Sequence, residues 1–282
     1  MMRVTIGVPV YNGAAQIAEC LDCLTGQTAR DIRILISDNA STDGTSEICA
    51  RYAAAHPNVE HHRHPQTADA TTNFLWLLDR ARDDLFMWRA HDDLSSPDYV
   101  ERLAALFEDP RCRLAVGAVE TIRTRPDGSE RVRRRGLPGY LDDTRGFRAT
   151  RSRMLDAHQS WFYGLWHRQT LVDTFGRVWA DYPDGWGSDH LTLLPLLFDR
   201  AIRGDAEAVF IQRIGRTRGP AHDDLAEMAA RRRTVAGLVK AQIAAADLSS
   251  LERLTARVLL PRWLDRRIHS RSRLLRMRLR GR

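Results

Sequence analysis

The sequence predicts an α/β fold: a mostly parallel sheet with helices on both faces, followed by a helical extension. Three observations carry this. Short β-rich runs alternate with helix-spaced segments through about residue 120. The polar residues that stand out lie just past those runs, where open α/β sheets collect their ligands. Charge is divided along the chain. Residues 251–282 hold eleven arginines against Glu252 and Asp265, a net +9, which leaves the other 250 residues at −2 of the total +7.

Val4–Val8 is a short β-rich run, and Pro9-Val10-Tyr11-Asn12-Gly13 is a turn. From Ala14 to about Thr25, Ile17, Leu21 and Leu24 recur at helical spacing. Ile32–Ile36 is a second strand, Asp38–Gly44 a polar loop, and Thr45 to about His56 a second helix. Val59–His64 is a third strand, whose His61, His62 and His64 read as a solvated edge rather than a metal cluster. Asn73 to about Arg82 is helical, with Phe74, Leu77, Leu78 and Ala81 in phase. Leu85–Trp88 is a buried strand that ends at Asp92-Asp93. Pro97–Phe107 is a helix with Ser96 as its N-cap and Pro97 at its first position. Leu114–Val119 is another strand.

Beyond this point the pattern loosens. Residues 123–151 are polar and Arg-rich, with Pro126-Asp127-Gly128 as a turn, and read as a hairpin or loop. Four of the seven tryptophans fall between 161 and 186. Asp184–His190 leads into an apolar helix at Leu191–Phe198, Ala208–Ile211 is a late strand, and the chain is helical from about Asp223.

The 43% hydrophobic and 28% charged residues suit a globular protein. No apolar run approaches the roughly 20 residues needed to span a bilayer. The N-terminus enters a strand pattern at once, so no signal peptide is expected. Cys20 and Cys23 sit three apart on a predicted helix with no second pair for zinc, and read as ordinary helix residues in a reducing compartment.

The acidic pair carries chemistry. Two carboxylates just past a buried strand are costly unless a cation meets them. A divalent metal carrying a diphosphate is the most natural such partner. With Val8–Gly13 and with Ser37-Asp38-Asn39-Ala40-Ser41-Thr42-Asp43-Gly44-Thr45, some 25 residues apart after successive strands, this segment resembles the inverting family 2 glycosyltransferases of the A-type, Rossmann-like (GT-A) fold. The match is closest over 3–120 and looser over 160–222.

The resemblance implies donor-binding roles for Pro9, Tyr11, Asn12, Asp38, Asn39, Ser41, Asn73, His91 and Asp93. Asp38 would accept from the base or ribose, and Asp43 would orient the loop. Aligning the metal motif on Asp93 and Pro97 puts Asp92 at its metal-binding aspartate and Ala90 at its first aspartate, a departure that weakens the expected grip on Mn2+ or Mg2+. His222, after Gly219-Pro220-Ala221, would be a third metal ligand or a phosphate contact, with Arg213, Arg216 and Arg218 around it for a diphosphate. Asp189, in Gly187-Ser188-Asp189-His190, takes the place of the general base; a helix N-cap is its plainer role. The aromatic residues of 161–186 would form a platform for the acceptor sugar, some serving only as core.

The implied activity is metal-assisted single displacement from a nucleotide-diphosphate sugar, UDP-linked by preference, to a hydroxyl of a saccharide or lipid-linked acceptor. Two other readings stand beside it: a sugar nucleotidyltransferase, although Pro9–Gly13 lacks the Gly-rich basic loop of that class, and a non-catalytic nucleotide-sugar-binding scaffold. The division expected is 1–222 as the GT-A domain, with 1–120 for the donor and 121–222 for the acceptor, and 223–282 as an Arg-rich extension. Leu264, Ile268, Leu275 and Leu279 share a helical face among arginines, so 259–282 is expected to touch an anionic membrane surface peripherally. The acidic body argues against nucleic acid. A cytoplasmic protein, at the inner face of the plasma membrane, is the corresponding location.

Overall fold

The computed structural model describes residues 2–125, 127–182, 187–214 and 224–280. The elements in chain order are β1 (Val4–Val10), α1 (Ile17–Thr25), β2 (Ile32–Asp38), α2 (Thr45–Ala55), β3 (Val59–Arg63), α3 (Ala70–Arg80), β4 (Leu85–Trp88), β5 (Leu94–Ser95), α4 (Tyr99–Ala105), β6 (Leu114–Thr124), β7 (Glu130–Arg135), α5 (Phe147–Asp156), β8 (Leu165–His167), α6 (Arg168–Asp181), α7 (Ser188–Phe198), β9 (Ile202–Ile214), α8 (Leu225–Ala245), α9 (Ser250–Arg267) and α10 (Arg271–Arg280).

One sheet runs in the order β3-β2-β1-β4-β8-β6-β9-β5, with β7 added to β6. Its first four strands are parallel: β1 pairs Val4 with Ile32 and Val10 with Asp38 on one side, and Val4 with Leu85 on the other. From β8 onward the pairings β4–β8, β6–β8, β6–β7 and β5–β9 are antiparallel. The sheet is therefore mixed, parallel in the half that the sequence made legible.

All seven residues of β1 are buried, because helices cover both faces of a central parallel strand. Gly7 is required there: a Cβ would lie 2.9 Å from the Phe86 ring and 3.2 Å from Leu77 of α3. Burying Leu77 and Phe86 completely is worth about 1.5–3 kcal/mol each. Buried Thr5 is satisfied by donating to Asp83 at 2.6 Å.

The chain divides into two compact units. The first comprises Met1–Leu137, Tyr163–Asp173 and Arg203–Arg216, and contains the sheet; the second comprises Pro138–Phe162, Thr174–Ile202 and Thr217–Arg282, and is helical. In the second, α5 packs on α7 and α9, and α8 on α7, α9 and α10. Glu252 closes a capping box with Ser249 at the start of α9 and also accepts the Gly146 N–H at 2.9 Å.

Several local expectations need correcting. Ser96 does not cap α4: its hydroxyl accepts from the Val209 N–H, and Asp98 holds the N-cap position. Helix α3 begins at Ala70, capped by Asp69, so Asn73 sits inside its first turn. Of the segment 123–151 read as a hairpin or loop, β7 forms a hairpin with β6, but its end is helical: α5 begins there at Phe147 and runs on to Asp156. Leu264 and Ile268 do not share a face with Leu275 and Leu279. The former are buried on and just after α9, whereas the latter stand exposed on the separate α10. All four cysteines are free thiols.

Candidate active site

Parallel pairing makes β1, β2 and β4 end on the same rim, and the first unit places its polar loops there. Asn12 takes a positive φ of 49°; its side-chain oxygen accepts the Thr42 N–H at 2.9 Å, and its own N–H donates to Ser41 at 2.9 Å. Gly13 N–H donates to the Thr45 hydroxyl at 2.9 Å. A side chain at Gly13 would collide with the His91 ring, its Cβ falling 2.4 Å from Cδ2. The turn after β1 and the segment after β4 are thus built against each other. Asp43 holds the β2 loop in place, accepting from the Ala14 N–H at 3.1 Å and the Thr45 hydroxyl at 2.5 Å.

Asp38 is fully buried at the end of β2. Its Oδ1 accepts the Ser41 N–H at 2.9 Å, while Oδ2 has no hydrogen-bond partner among the described residues. His61 Nε2 and Arg63 Nε both lie 3.8 Å from that oxygen. Burial pushes the His61 ring down from its ordinary pKa, with Asp38 opposing, so the ring is neutral at pH 7. His61 and His64 are therefore not a solvated edge: His64 is within 2.8 Å of the Ser37 hydroxyl. His62 is exposed but stacks on Trp76 at 4.5 Å. Asp38 therefore presents a buried carboxylate oxygen without a hydrogen bond, with two side-chain nitrogens 3.8 Å away, a costly arrangement unless a donor meets it.

Other expected donor contacts have their polar groups committed. Asn39 exchanges two hydrogen bonds with the Ala68 backbone, at 2.8 and 2.9 Å. Asn73 is buried, donating to the Ser37 carbonyl at 3.1 Å and accepting from its hydroxyl at 2.5 Å. The Ser41 hydroxyl accepts from Asn12. These side chains brace the loop in this arrangement. Pro9 is buried in β1, and Tyr11 is exposed at 49% of its surface on the rim.

At the end of β4, the pair divides its work. Asp93 is buried and accepts the Arg213 N–H at 2.8 Å. Burial pushes its carboxyl up to about 7, opposed by that N–H and by the Arg89 charge, and reinforced by Asp92. Asp92 is only half-buried and makes no hydrogen bond among the described residues. The Arg213 guanidinium is not open to a diphosphate: it holds Glu19 through two bonds, at 2.7 and 2.5 Å. Arg216, Arg218 and His222 lie outside the described residues.

Among the described residues no group of three His, Cys, Asp or Glu side chains is arranged to hold a metal. One unengaged carboxylate, Asp92, fits a different geometry. Mg2+-like ions are commonly bound by one or two carboxylates together with the phosphates of a substrate, not by an all-protein cage.

Sequence reasoning missed Arg89. It is fully buried, and Nε, Nη1 and Nη2 have no hydrogen-bond partner among the described residues. It stacks on Phe210 at 4.9 Å and Tyr99 at 5.4 Å. The signal for His61 and Arg63 was available: on a strand paired to β2 they alternate onto one face, with Arg63 in register with Asp38.

In the second unit, Asp189 lies in the first turn of α7, after Gly187 at φ +87°. It does not cap that helix; its Oδ1 accepts the adjacent His190 N–H at 2.7 Å. Burial pushes Asp189 up to about 6, against the opposing His190 N–H and the Arg267 charge. Burial also holds His190 down at about 3, so its ring is neutral. Much of the aromatic stretch is core: Trp161, Phe162, Trp166 and Tyr182 are buried, and Trp186 lies outside the described residues.

A single-sheet α/β architecture with its acidic and polar loops on the C-terminal rim of parallel strands defines the GT-A class of fold. Solved structures of that class superpose over most of the chain. TarS of S. aureus (residues 1–349) matches with a TM-score of 0.63 at 14% identity, covering 93% of this chain and 72% of that one. The same protein in complex with UDP-GlcNAc gives 0.63 at 15%, over 93% and 72%. The mannosyltransferase PcManGT from Pyrobaculum calidifontis, in complex with GDP-Man and Mn2+, gives 0.56 at 19%, over 94% and 72%. The family model for Glycosyl transferase family 2 matches residues 5–169, and the chain belongs to that family.

Among curated relatives, glycosyltransferase AglE of Haloferax volcanii is 41% identical over 59 residues, 20% of this chain and 19% of that protein. The putative glycosyltransferase EpsE of Bacillus subtilis is 27% identical over 116 residues, 41% and 42% respectively. The matched region spans less than half the length of each of these two.

Proposed function

We propose that the protein transfers a sugar from a nucleotide-diphosphate sugar to an acceptor hydroxyl, with inversion at the anomeric carbon. The observation that carries this is the pairing, on one rim of the sheet, of an open buried acceptor at Asp38 Oδ2 with an unengaged carboxylate at Asp92. The first suits a base N–H and the second a metal–diphosphate. Tyr11, exposed just past the end of β1, would offer a surface for the base. The bound UDP-GlcNAc and GDP-Man of the structural neighbours support a donor of this class.

Asp92 is the residue that would hold Mn2+ or Mg2+, and the chemistry such an ion would supply is neutralisation of charge on the departing diphosphate. The chain's own residues do the rest. Asp38, braced by Ser41 and faced by neutral His61, orients the donor's base. Asp93 keeps the acidic turn folded by accepting from Arg213. Asp189 takes the proton of the acceptor hydroxyl on Oδ2, since Oδ1 is engaged by the His190 N–H. A partly desolvated carboxylate is a stronger base than one in water, and remains ionised above about pH 6. A UDP-sugar as donor, a saccharide or lipid-linked acceptor, and a peripheral anionic-membrane contact through the exposed leucines and arginines of α10 belong to the same reading.

The test is turnover. Wild-type protein should release a nucleoside diphosphate from one of a panel of UDP-, GDP- and dTDP-sugars with Mn2+ or Mg2+, and Asp189→Asn should lose roughly 10²- to 10⁴-fold of that rate while still binding donor. Donor binding without turnover across a panel of acceptors would identify a scaffold instead. Pyrophosphate release from a nucleoside triphosphate would identify a nucleotidyltransferase.

A further inference from the structure

The run from Val119 to Arg135 carries six arginines and no aromatic residue. It folds as the β6–β7 hairpin of the first unit, and among the described residues β7 pairs with β6 alone. The antiparallel register sets Arg131 opposite Arg123, Arg133 opposite Thr121 and Arg135 opposite Val119. Directly opposed residues share a face of the sheet, and alternate residues return to it. Arg123, Arg131, Arg133 and Arg135 therefore stand on one face, with no acid of either strand among them. The other face sets Glu120 opposite Arg134 and Glu130 opposite Thr124. Charge is thus sorted by face, with four arginines on one and a single arginine against two glutamates on the other.

All four arginines of the ladder are exposed, and their guanidinium groups have no hydrogen bond or ion pair among the described residues. Arg134, on the other face, is engaged: its Nη2 donates to the Ala206 carbonyl at 3.3 Å. Arg123 and Arg131 are like charges directly opposed, which costs stability unless an anion sits against both. Successive ladder arginines on β7 are spaced at about 7 Å, two residues of strand. A row of planar guanidinium forks at that spacing fits a chain of carboxylates or phosphates, each taken in a bidentate grip. The placement follows from register. Trp166 of β8 pairs with Phe86 of β4 on one side and Leu114 of β6 on the other, antiparallel both times. β6 therefore runs in the direction of β4. β4 stops at Trp88, but β6 continues to Thr124. The ladder lies past the level at which β4 gives way to Asp92, on the side of the sheet where Asp38 and Asp92 stand.

We propose that Arg123, Arg131, Arg133 and Arg135 bind the acceptor, a linear glycan that carries a carboxylate or phosphate on successive units. The inference rests on the sugar-transfer reading and narrows its acceptor to an anionic one. A single-stranded nucleic acid would call for aromatic side chains to stack its bases, and the hairpin has none. A bilayer would call for exposed apolar side chains among the arginines, but Val119 is buried and exposed Val132 belongs to the other face. Charge on an edge strand also blocks pairing with other chains. Either sign of charge does that, so sign separates the two roles.

The experiment is binding to the full chain, by fluorescence anisotropy, of labelled oligogalacturonate, a phosphodiester-linked oligosaccharide and a neutral maltooligosaccharide of matched length. Wild type should bind at least one anionic glycan and not the neutral one, with affinity falling as salt is raised. Arg131→Gln, Arg133→Gln and Arg135→Gln together should weaken that binding roughly tenfold or more. The three lysine replacements should keep most of it, and Arg134→Gln all of it. The three glutamate replacements leave the edge charged yet should abolish binding. Arg123→Gln should weaken binding without lowering the melting temperature, because it removes a like-charge opposition. Equal binding of the neutral glycan, no binding of either anionic one, or affinity indifferent to the glutamine variants would overturn the proposal and leave the arginines as edge protection. Binding confined to a single-stranded oligonucleotide or to phosphatidylglycerol vesicles would overturn it as well. Ladder-dependent glycan binding with no nucleoside diphosphate released from any donor would sustain the ladder and count against the sugar-transfer reading.

Discussion

Asp92 and Asp93 are neighbours in sequence with opposite surroundings. Asp93 is spent inside the fold, received by the Arg213 N–H and offset by the Arg89 charge beneath it. Asp92 keeps its lone pairs. A metal held by one such carboxylate and the donor's own phosphates is bound strongly only when donor is present. Asp92→Asn should therefore weaken Mn2+-dependent binding of the nucleoside diphosphate by roughly tenfold or more, while metal-free nucleoside binding at Asp38 stays unchanged. Calorimetric titrations with and without Mn2+ measure both, and equal affinities in the two proteins would remove Asp92 from the metal site. At this scale the candidate site was legible where the proposed reading rests on a short motif: Asp38, Asp92 and Asp189 each stand out within a few residues. His61 could be placed only by pairing its strand with β2, and Arg89 meets Phe210 and Tyr99 from other elements of the chain, so no short motif marks either.

The elements were legible where periodicity is strong and blurred where charge interrupts it. β1, β2 and β4 follow the expected runs closely, because their buried faces are nearly continuous, and α2 matches its expected span although only Thr45 and Cys49 of it are buried. α5 escaped notice since three of its ten residues are arginine, yet buried Arg153 satisfies itself on three loop carbonyls, so the helix packs inward despite its composition. The junction of Gly187 with Ile268 tests how tightly α7 is seated. Gly187→Ala introduces both a left-handed φ for a residue with a side chain and a clash with the Ile268 Cδ1, and should cost about 1–2 kcal/mol by denaturant unfolding. Adding Ile268→Val removes the clashing methyl and should recover part of that loss, beyond the effect of Ile268→Val alone. The φ component remains. Strict additivity of the two substitutions would show that the contact is not what confines position 187.

At the scale of the whole chain, charge is the organising fact, and it is partly structural. Of the arginines after residue 250, Arg253 spends its guanidinium on carbonyls at the end of α8, Arg266 and Arg267 on those of α5, and Arg271 on Asp265. The net +9 of this stretch therefore overstates what it offers to a partner. Among the described side chains, what remains outward on α10 is Arg273, Arg276 and Arg278, with Leu275 and Leu279 exposed at 57% and 63% beside them. No described helix is long and apolar enough to cross a membrane. Three arginines near an anionic surface contribute about 1 kcal/mol each, which suits reversible attachment and no more. Wild-type protein should co-float with vesicles containing phosphatidylglycerol and not with neutral phosphatidylcholine vesicles. Binding should fade as salt is raised, because screening shortens the reach of the arginines. Leu275→Gln with Leu279→Gln should weaken that binding without lowering the melting temperature, since neither leucine is buried. Equal flotation with both vesicle types, or binding indifferent to the two substitutions, would assign α10 to packing and leave the arginines as solubilising charge.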